Sequence, residues 1–355
     1  MQTRIVFVLP QGSDAVSGGN IYNAALIGAL LETVDVTVIG IDECDSRLRR
    51  GEPGLYFIDT LNLREFLALQ APTKEQMFAL IVHHLASLEP GIKPDDPALG
   101  VEAQALERFV AYVATSPFTA DHLVQRGVLR ERIMTVVPGM FDVDTSERVY
   151  EPPLRALLVG NLIRRKAVLE FLDAVDRRID DKDSFNLQVI GRTDIDRDYG
   201  KACEGLISRS PRLKRSVQMR GPVPYQQMGE YYRSANALVS AAEMETYGMA
   251  LAEARAHGLP ILALDRGYVR NHLTHGNNGM LFDSINALAD GFVGLARTDA
   301  EMRGFFVRAQ TLRAGANYPW RSVAKSFKTE LESVMEFHRD ALRFRQQQLA
   351  NATDE

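Results

Sequence analysis

Short β-rich runs alternate with helical patterns along nearly the whole chain, and the series occurs twice, broken by a stretch from Phe141 to Pro153 that ends in Pro152-Pro153. In the first half Ile5 to Leu9, Val36 to Ile41, Leu55 to Ile58, Phe78 to Val82, Tyr112 to Thr115 and Ile133 to Val137 read as strands. In the second, Ala156 to Val159, Leu187 to Ile190, Val217 to Met219, Ala237 to Ser240 and Ile261 to Leu264 do the same. Helices fill the intervals. Tyr22, Ala25, Leu26, Ala29 and Leu30 form one apolar face after Gly18-Gly19, with Asn20 as the expected cap. Such alternation predicts an α/β chain of two Rossmann-like, doubly wound parallel-sheet domains facing a cleft. The acidic residues, Ser146 and paired prolines of the intervening stretch predict a linker, giving an N-terminal domain over 1–150 and a C-terminal domain over 151–324. A final helix at about 325–348 is expected to pack back on the first domain. Ligands in such sheets bind beyond the carboxyl ends of the strands, so those ends are where chemistry is sought.

Composition narrows the class. A chain of 355 residues that is 46% hydrophobic can bury two cores. Its net charge of -5 argues against a nucleic-acid binder that works by neutralising phosphates. Cys44 and Cys203 are the only cysteines and have neither CxxC nor Cys/His metal spacing, which predicts no disulfide framework, no zinc site and a reducing compartment. The apolar start Ile5 to Pro10 is too short for a signal-peptide core, and no run approaches the ~18 apolar residues of a membrane span. A cytoplasmic protein is expected. After Trp320, the residues Val323, Phe327, Leu331, Val334, Phe337, Ala341 and Leu342 keep helical spacing. This reads as a packing helix; an oligomer contact, or a peripheral membrane surface built from Arg339, Arg343 and Arg345, is the alternative.

The segment from Glu243 to Pro260 carries the sharpest functional signal. Two carboxylates, Glu245 and Glu253, flank a Tyr247-Gly248 turn; Thr246 is the expected helix cap, and Tyr247, Ala250, Leu251 and Ala254 repeat at helical spacing. Gly258 and Pro260 end the helix. The backbone amides of Tyr247, Gly248 and Met249 would then face an anion, because a helix start leaves donors unpaired and carries positive partial charge. Glu253, just inside the helix, suits the two hydroxyls of a ribose. Donors for phosphate beside a carboxylate for a diol fit a nucleotide sugar. Earlier, the strand ending at Val159-Gly160 runs into Asn161-Leu162-Ile163-Arg164-Arg165-Lys166, a basic turn suited to phosphate. His83 and His84 close another strand, where adjacent side chains point to opposite sides. Gly18 and Gly19 let backbone approach a phosphate or sugar, yet no G-x-G-x-x-G follows the first strand.

The run Ser240-x-x-x-x-Glu245-x-Tyr247-Gly248-x-x-x-x-Glu253-Ala254-x-Ala256-x-Gly258-x-Pro260 resembles the signature of the retaining glycosyltransferases of family 4, which have the GT-B fold. Gly221-Pro222-Val223-Pro224, Tyr231-Tyr232 and Ser234-Ala235-Asn236 before it are similar to that family's approach to the serine strand. Gly267, Gly276 and Asn278-Gly279-Met280-Leu281-Phe282 after it resemble the family's later glycine segment, and Gly18-Gly19, Thr115 to Thr119 and Val136-Val137-Pro138-Gly139 extend the likeness into the first half. The resemblance implies a metal-independent transferase that moves a sugar from a nucleotide diphosphate sugar to a glycan, lipid or small-molecule acceptor. Acceptor would bind in the first domain and donor in the second. No cofactor beyond the nucleotide sugar is implied.

By the same resemblance Glu253 holds the ribose, Glu245 sits near the transferred sugar, and Gly18, Gly19, Gly160, Gly221, Tyr247, Gly248 and Met249 line the donor. Lys166 matches the family lysine, whereas Asn161 stands where an arginine is usual, so Arg165, ahead of Arg164, is taken as its substitute on the phosphate. A histidine near the donor sugar falls on His83 or His84; His84, nearer the strand end, is preferred. Asn271 stands where many relatives have an acid. Asp142-x-Asp144 and Asp194-x-Asp196 have the spacing of metal-holding carboxylates, but the family does not use them, and they read as linker and loop residues. A nucleotide-sugar epimerase, a hydrolase using the glutamate pair, and a catalytically degenerate binding subunit are the alternatives on the same fold.

Overall fold

The computed structural model describes residues 4–10, 17–70, 72–141, 143–144, 146–313 and 318–353. Contacts divide the chain into two units, the first containing Tyr22–Gly139 and Trp320–Glu355 together with the N-terminal strand, the second containing Met140–Pro319. The short segment before Tyr22, including the first turn of the helix Gly18–Leu31, is counted with the second unit.

In the first unit, strands β1 (Ile5–Val8), β2 (Val36–Ile39), β3 (Gly54–Asp59), β4 (Gln76–Val82), β5 (Ala111–Ala114) and β6 (Ile133–Thr135) form one sheet in the order β2-β1-β3-β4-β5-β6. Every pairing is parallel, with Phe7 opposite Val38 on one side and Phe57 on the other. Parallel strands are covered on both faces and therefore read as near-continuous apolar runs. All of β1 and β3 is buried accordingly. The helix Trp320–Thr353 closes this core: the Phe327 ring lies 5.3 Å from that of Phe57, and Glu330 accepts the Thr135 N–H at 2.6 Å. Its apolar spacing is buried at Val323, Phe327 and Val334 but runs out into solvent at Leu342.

In the second unit, β7 (Leu154–Val159), β8 (Phe185–Ile190), β9 (Val217–Gly221), β10 (Ala237–Ser240), β11 (Ile261–Leu264) and β12 (Gly279–Phe282) follow the order β12-β11-β10-β7-β8-β9, again all parallel. The chain winds outward from β7 in one direction, then crosses over to β10 and winds in the other. That reversal, between β7 and β10, is the topological switch point of the sheet, where a crevice opens beyond the strand ends.

The expected strands are present within a few residues. β12 was not among them, because four residues starting with glycine give too short an apolar pattern to distinguish from a loop. Two expected caps are corrected. The first helix begins at Gly18, so Asn20 lies inside its first turn and donates its N–H to Ser17 Oγ at 3.2 Å. The helix Met249–Ala256 is preceded by Gly248 in the left-handed conformation rather than capped by the Thr246 side chain. Cys44 and Cys203 are both free and buried. Among the described residues no helix is long and apolar enough to cross a membrane.

Candidate functional site

The loops after β7 and β10 meet at the switch point of the second sheet. After Gly160 the chain makes a turn of 3-10 helix at Arg164–Lys166 and then passes through Ala167, a left-handed residue at φ 48°, before the helix Val168–Asp176. A left-handed alanine costs about 1 kcal/mol or more and persists where neighbours over-determine it. Those neighbours are visible. The Arg165 carbonyl accepts the Glu243 N–H at 2.9 Å, and Arg165 Nη1 donates to the Met244 carbonyl at 2.9 Å. Lys166 Nζ donates to Glu245 Oε1 at 2.5 Å, with the two side chains 20% and 12% exposed. Three successive residues of one loop are thus fastened to the other.

Glu245 is also held from the following loop. Tyr268 N–H donates to the Glu245 carbonyl at 2.8 Å, and Gly267, at φ 58°, passes so close that a Cβ there would lie 2.2 Å from that oxygen. Only glycine fits. The Tyr247 ring stacks on Tyr268 at 5.8 Å between centroids, and His272 meets Tyr247 edge-on. His272 Nε2 lies 2.6 Å from the Tyr247 carbonyl; burial pulls its pKa down to about 4, so the neutral ring donates that hydrogen bond. Gly248, at φ 87°, then turns the chain into the helix that carries Glu253.

Glu253 faces inward and is 6% exposed. Tyr225 Oη donates to its Oε1 at 2.9 Å and Tyr232 Oη to its Oε2 at 2.6 Å. Burial raises its pKa to about 7, against the lowering effect of the two phenols. His257, one turn on, stacks on Tyr232 at 4.9 Å and is kept toward its neutral form by burial. A cavity of about 250 Å³ opens beside this carboxyl group, walled by Met140, Val143, Met228 and the two tyrosines.

The other predicted residues fall in different places. Gly160 N–H donates to the Ile190 carbonyl at 2.8 Å, and Gly221 accepts from the Gly191 N–H at 3.0 Å, so both sit at strand ends of the second sheet. Asn161 Oδ1 accepts the Arg192 N–H at 3.1 Å, which ties the β7 loop to the β8 loop. Arg164 is 77% exposed and turned toward Asp196 and the Tyr199 ring, whereas Arg165 and Lys166 reach the Glu243–Glu245 loop. Asp196 caps the helix Arg197–Arg209 and Asp194 pairs with Arg192 at 2.8 Å; Asp142 lies outside the described residues. Asn271 is exposed, with its amide nitrogen 3.3 Å from the Tyr268 carbonyl. Gly18 and Gly19 open the first helix.

In the first unit, His84 Nε2 lies 2.9 Å from Glu89 Oε2, while His83 Nε2 is 3.0 Å from Asn23 Oδ1 and 3.3 Å from Asp59 Oδ2. Asp59 is 1% exposed; burial opposes its charge, but His83 and three hydrogen bonds hold its carboxyl below the usual range. Asp59 and Asn23 escaped the sequence reading because nothing in spacing links the ends of β3 and β4 to the first helix. Tyr225 escaped it for the same reason.

Residues 153–298 match the sequence family described as Glycosyl transferases group 1. The chain is 26% identical over 252 residues to a D-inositol 3-phosphate glycosyltransferase of Geodermatophilus obscurus, covering 65% of this chain and 53% of that protein. It is 29% identical over 177 residues to a phosphatidyl-myo-inositol mannosyltransferase of Mycobacterium leprae, covering 48% and 44%. The chain therefore spans about half the length of these curated relatives. The fold is similar to that of Anabaena HepE in complex with UDP and glucose, with a TM-score of 0.71 at 16% identity over 94% of this chain and 100% of that one. Sucrose-phosphate synthase of Thermosynechococcus elongatus gives 0.71 at 18% identity with the same coverage. With two doubly wound parallel sheets of this order the chain has the GT-B fold, and within it residues 153–298 are similar to the group 1 glycosyl transferases.

Proposed function

We propose that the protein is a retaining, metal-independent glycosyltransferase that moves a sugar from a nucleotide diphosphate sugar to a glycan, lipid or small-molecule acceptor. The observation that carries this reading is the fastening of the β7 loop to the β10 loop through Arg165, Lys166 and Glu245 at the switch point. Donor binds the second unit and acceptor the first. The diphosphate lies between the basic turn and the start of the helix Met249–Ala256, where backbone donors and positive partial charge favour it. The ribose hydroxyls bind Glu253, and the sugar lies toward Glu245.

As the bond from the sugar's anomeric carbon to the diphosphate breaks, negative charge builds on the departing oxygen and Lys166 and Arg165 stabilise it. The acceptor hydroxyl adds to the same carbon and face, and its proton passes to the departing diphosphate. His84 remains a candidate contact to the sugar, and the half-buried His83 is the second. The relatives' names support this class: one is a glycosyltransferase of D-inositol 3-phosphate, another a mannosyltransferase of phosphatidyl-myo-inositol, and HepE binds UDP and glucose. A hydrolase or epimerase using both glutamates on one bond is less well supported, since Glu245 is engaged by Lys166 and Glu253 by two phenols.

The test is a thermal-shift screen against nucleotide sugars followed by a turnover assay on the best binder. Stabilisation by one nucleotide sugar and its turnover with an acceptor are expected. Binding without turnover of any donor would assign the chain to a binding role, and no binding at all would overturn the reading.

A further inference from the structure

Glu253 holds two hydroxyl donors, one on each carboxylate oxygen, and the two are unlike. Tyr232 is 1% exposed and lies in the helix Met228–Ser234 with its ring stacked on His257. It is fixed. Tyr225 begins a single turn of 3-10 helix, Tyr225–Gln227, is partly exposed, and rests its ring against Phe141, itself 44% exposed. It also borders the cavity beside Glu253, so its ring has space to turn into.

Two hydroxyl donors on one carboxylate are what a vicinal diol supplies. A buried carboxylate left without donors is costly, so an empty site benefits from a substitute. We infer that Tyr225 is a placeholder for one ribose hydroxyl: its Oη occupies Glu253 Oε1 in the empty protein and yields that oxygen when a nucleotide binds, the ring turning toward the cavity. Tyr232 stays on Oε2 in both states and orients the carboxylate. This inference rests on the assignment of Glu253 to the ribose.

The exchange has a signature in selectivity. A ribonucleotide replaces one bond to Glu253 by another, whereas a nucleotide lacking the relevant hydroxyl leaves Tyr225 in place and loses little. The placeholder therefore compresses discrimination between ribose and deoxyribose. Removing the phenol hydroxyl leaves Oε1 waiting for the ligand, so the ribonucleotide gains and the deoxy form does not.

The experiment uses titration calorimetry with UDP, GDP and ADP on the full chain, then the tightest of the three beside its 2′-deoxy and 3′-deoxy counterparts. For Tyr225→Phe, affinity for the ribonucleotide is expected to rise roughly three- to tenfold, as for one hydrogen bond. The larger of its two ribo-to-deoxy ratios should grow by the same factor. For Tyr232→Phe, affinity is expected to fall. Weaker or unchanged binding by Tyr225→Phe with unchanged ratios would make Tyr225 a fixed positioning residue and overturn the inference. A crystal structure of the wild-type complex checks this without any substitution: Tyr225 Oη should lie beyond about 3.5 Å from Glu253, with a ribose hydroxyl in its place. An intact Tyr225–Glu253 bond there overturns the inference as well. Failure of the underlying assignment looks different: Glu253→Gln would bind the ribonucleotide as tightly as the wild type does, and the ribose in the complex would lie away from residue 253. No binding of all three nucleotides to the wild type would overturn both.

Discussion

Lys166 and Glu245 form an ion pair of 2.5 Å between two loops that are 79 positions apart in sequence. Each was expected to meet a different part of the donor. The structure joins them: the lysine proposed for the phosphate is paired with the carboxylate proposed for the sugar, and a bound anion would compete for it. The pair is then both a clasp between loops and a store of positive charge.

Replacing Lys166 by alanine removes that charge and leaves a largely buried carboxylate without its counter-ion. Transfer is expected to slow by two orders of magnitude or more, on the order of 3 kcal/mol in the barrier. Glu245→Gln keeps the loop bonded and frees the lysine, so nucleotide diphosphate should bind as well as in the wild type or more tightly, with turnover reduced. A double-mutant cycle on unfolding is expected to give a coupling of about 1–3 kcal/mol. Additive effects within error would show that the pair contributes no clasp.

Nucleotide affinity should depend on pH through Glu253. With its pKa raised to about 7 by burial, the folded carboxyl is largely protonated below that pH and offers fewer acceptors to a diol. Affinity should fall with decreasing pH below about 7, by no more than about tenfold per unit for a single proton. The phenols of Tyr225 and Tyr232 stay protonated throughout, held far above the range by burial. Calorimetry across pH 5.5 to 8 is the measurement, roughly spanning the shifted group. Glu253→Gln should flatten the profile.

Two buried groups pull stability in opposite directions. Because the folded pKa of Glu253 lies above 4.5, its contribution to stability declines as pH rises from about 4.5 to about 7. The folded pKa of His272 is lowered from 6.5 to about 4, so the unfolded state takes up a proton first and stability is lost as pH falls through that window. In the overlap the two terms offset each other, so urea midpoints for His272→Gln should fall less, or rise more, than those of the wild type as the pH is lowered from about 6.5 to about 4. An identical pH slope would show that His272 does not titrate on unfolding.

Gly267→Ala tests how Glu245 is placed. The added methyl meets the Glu245 carbonyl at 2.2 Å and requires a left-handed backbone that alanine disfavours. A loss of about 1–3 kcal/mol in stability and at least a tenfold drop in transfer are expected, without contact between residue 267 and the donor. Wild-type turnover by this variant would show that the exact height of Glu245 is unimportant.

Much of this was legible in the chain because parallel strands buried on both faces leave an apolar record, as in Phe78 to Val82 and Ile261 to Leu264. The positions of Glu245, Lys166 and Glu253 at strand ends and a helix start followed from local pattern. What could not be read was mutual contact. Nothing in the spacing says that Asn161 bonds to Arg192, that Lys166 reaches Glu245, or that Tyr225 and Tyr232 close on Glu253. Those contacts arise where separate crossovers return to one sheet edge, and they depend on side-chain reach rather than on period. The caps failed for a related reason: the left-handed Gly248 supplies through its backbone the turn that Thr246 was expected to make with its side chain.

The first sheet takes its closing helix from the far end of the chain. Its strands are complete by Thr135, yet Trp320 and Phe327, which pack on Tyr22 and Phe57, are made only after the whole second unit. On a ribosome the main body of the second unit, Met140–Pro319, is therefore continuous and ready to fold, while the first waits with aromatic surface exposed. A chain halted before Trp320 should be a target for chaperones and proteases even though every residue of its second sheet is present.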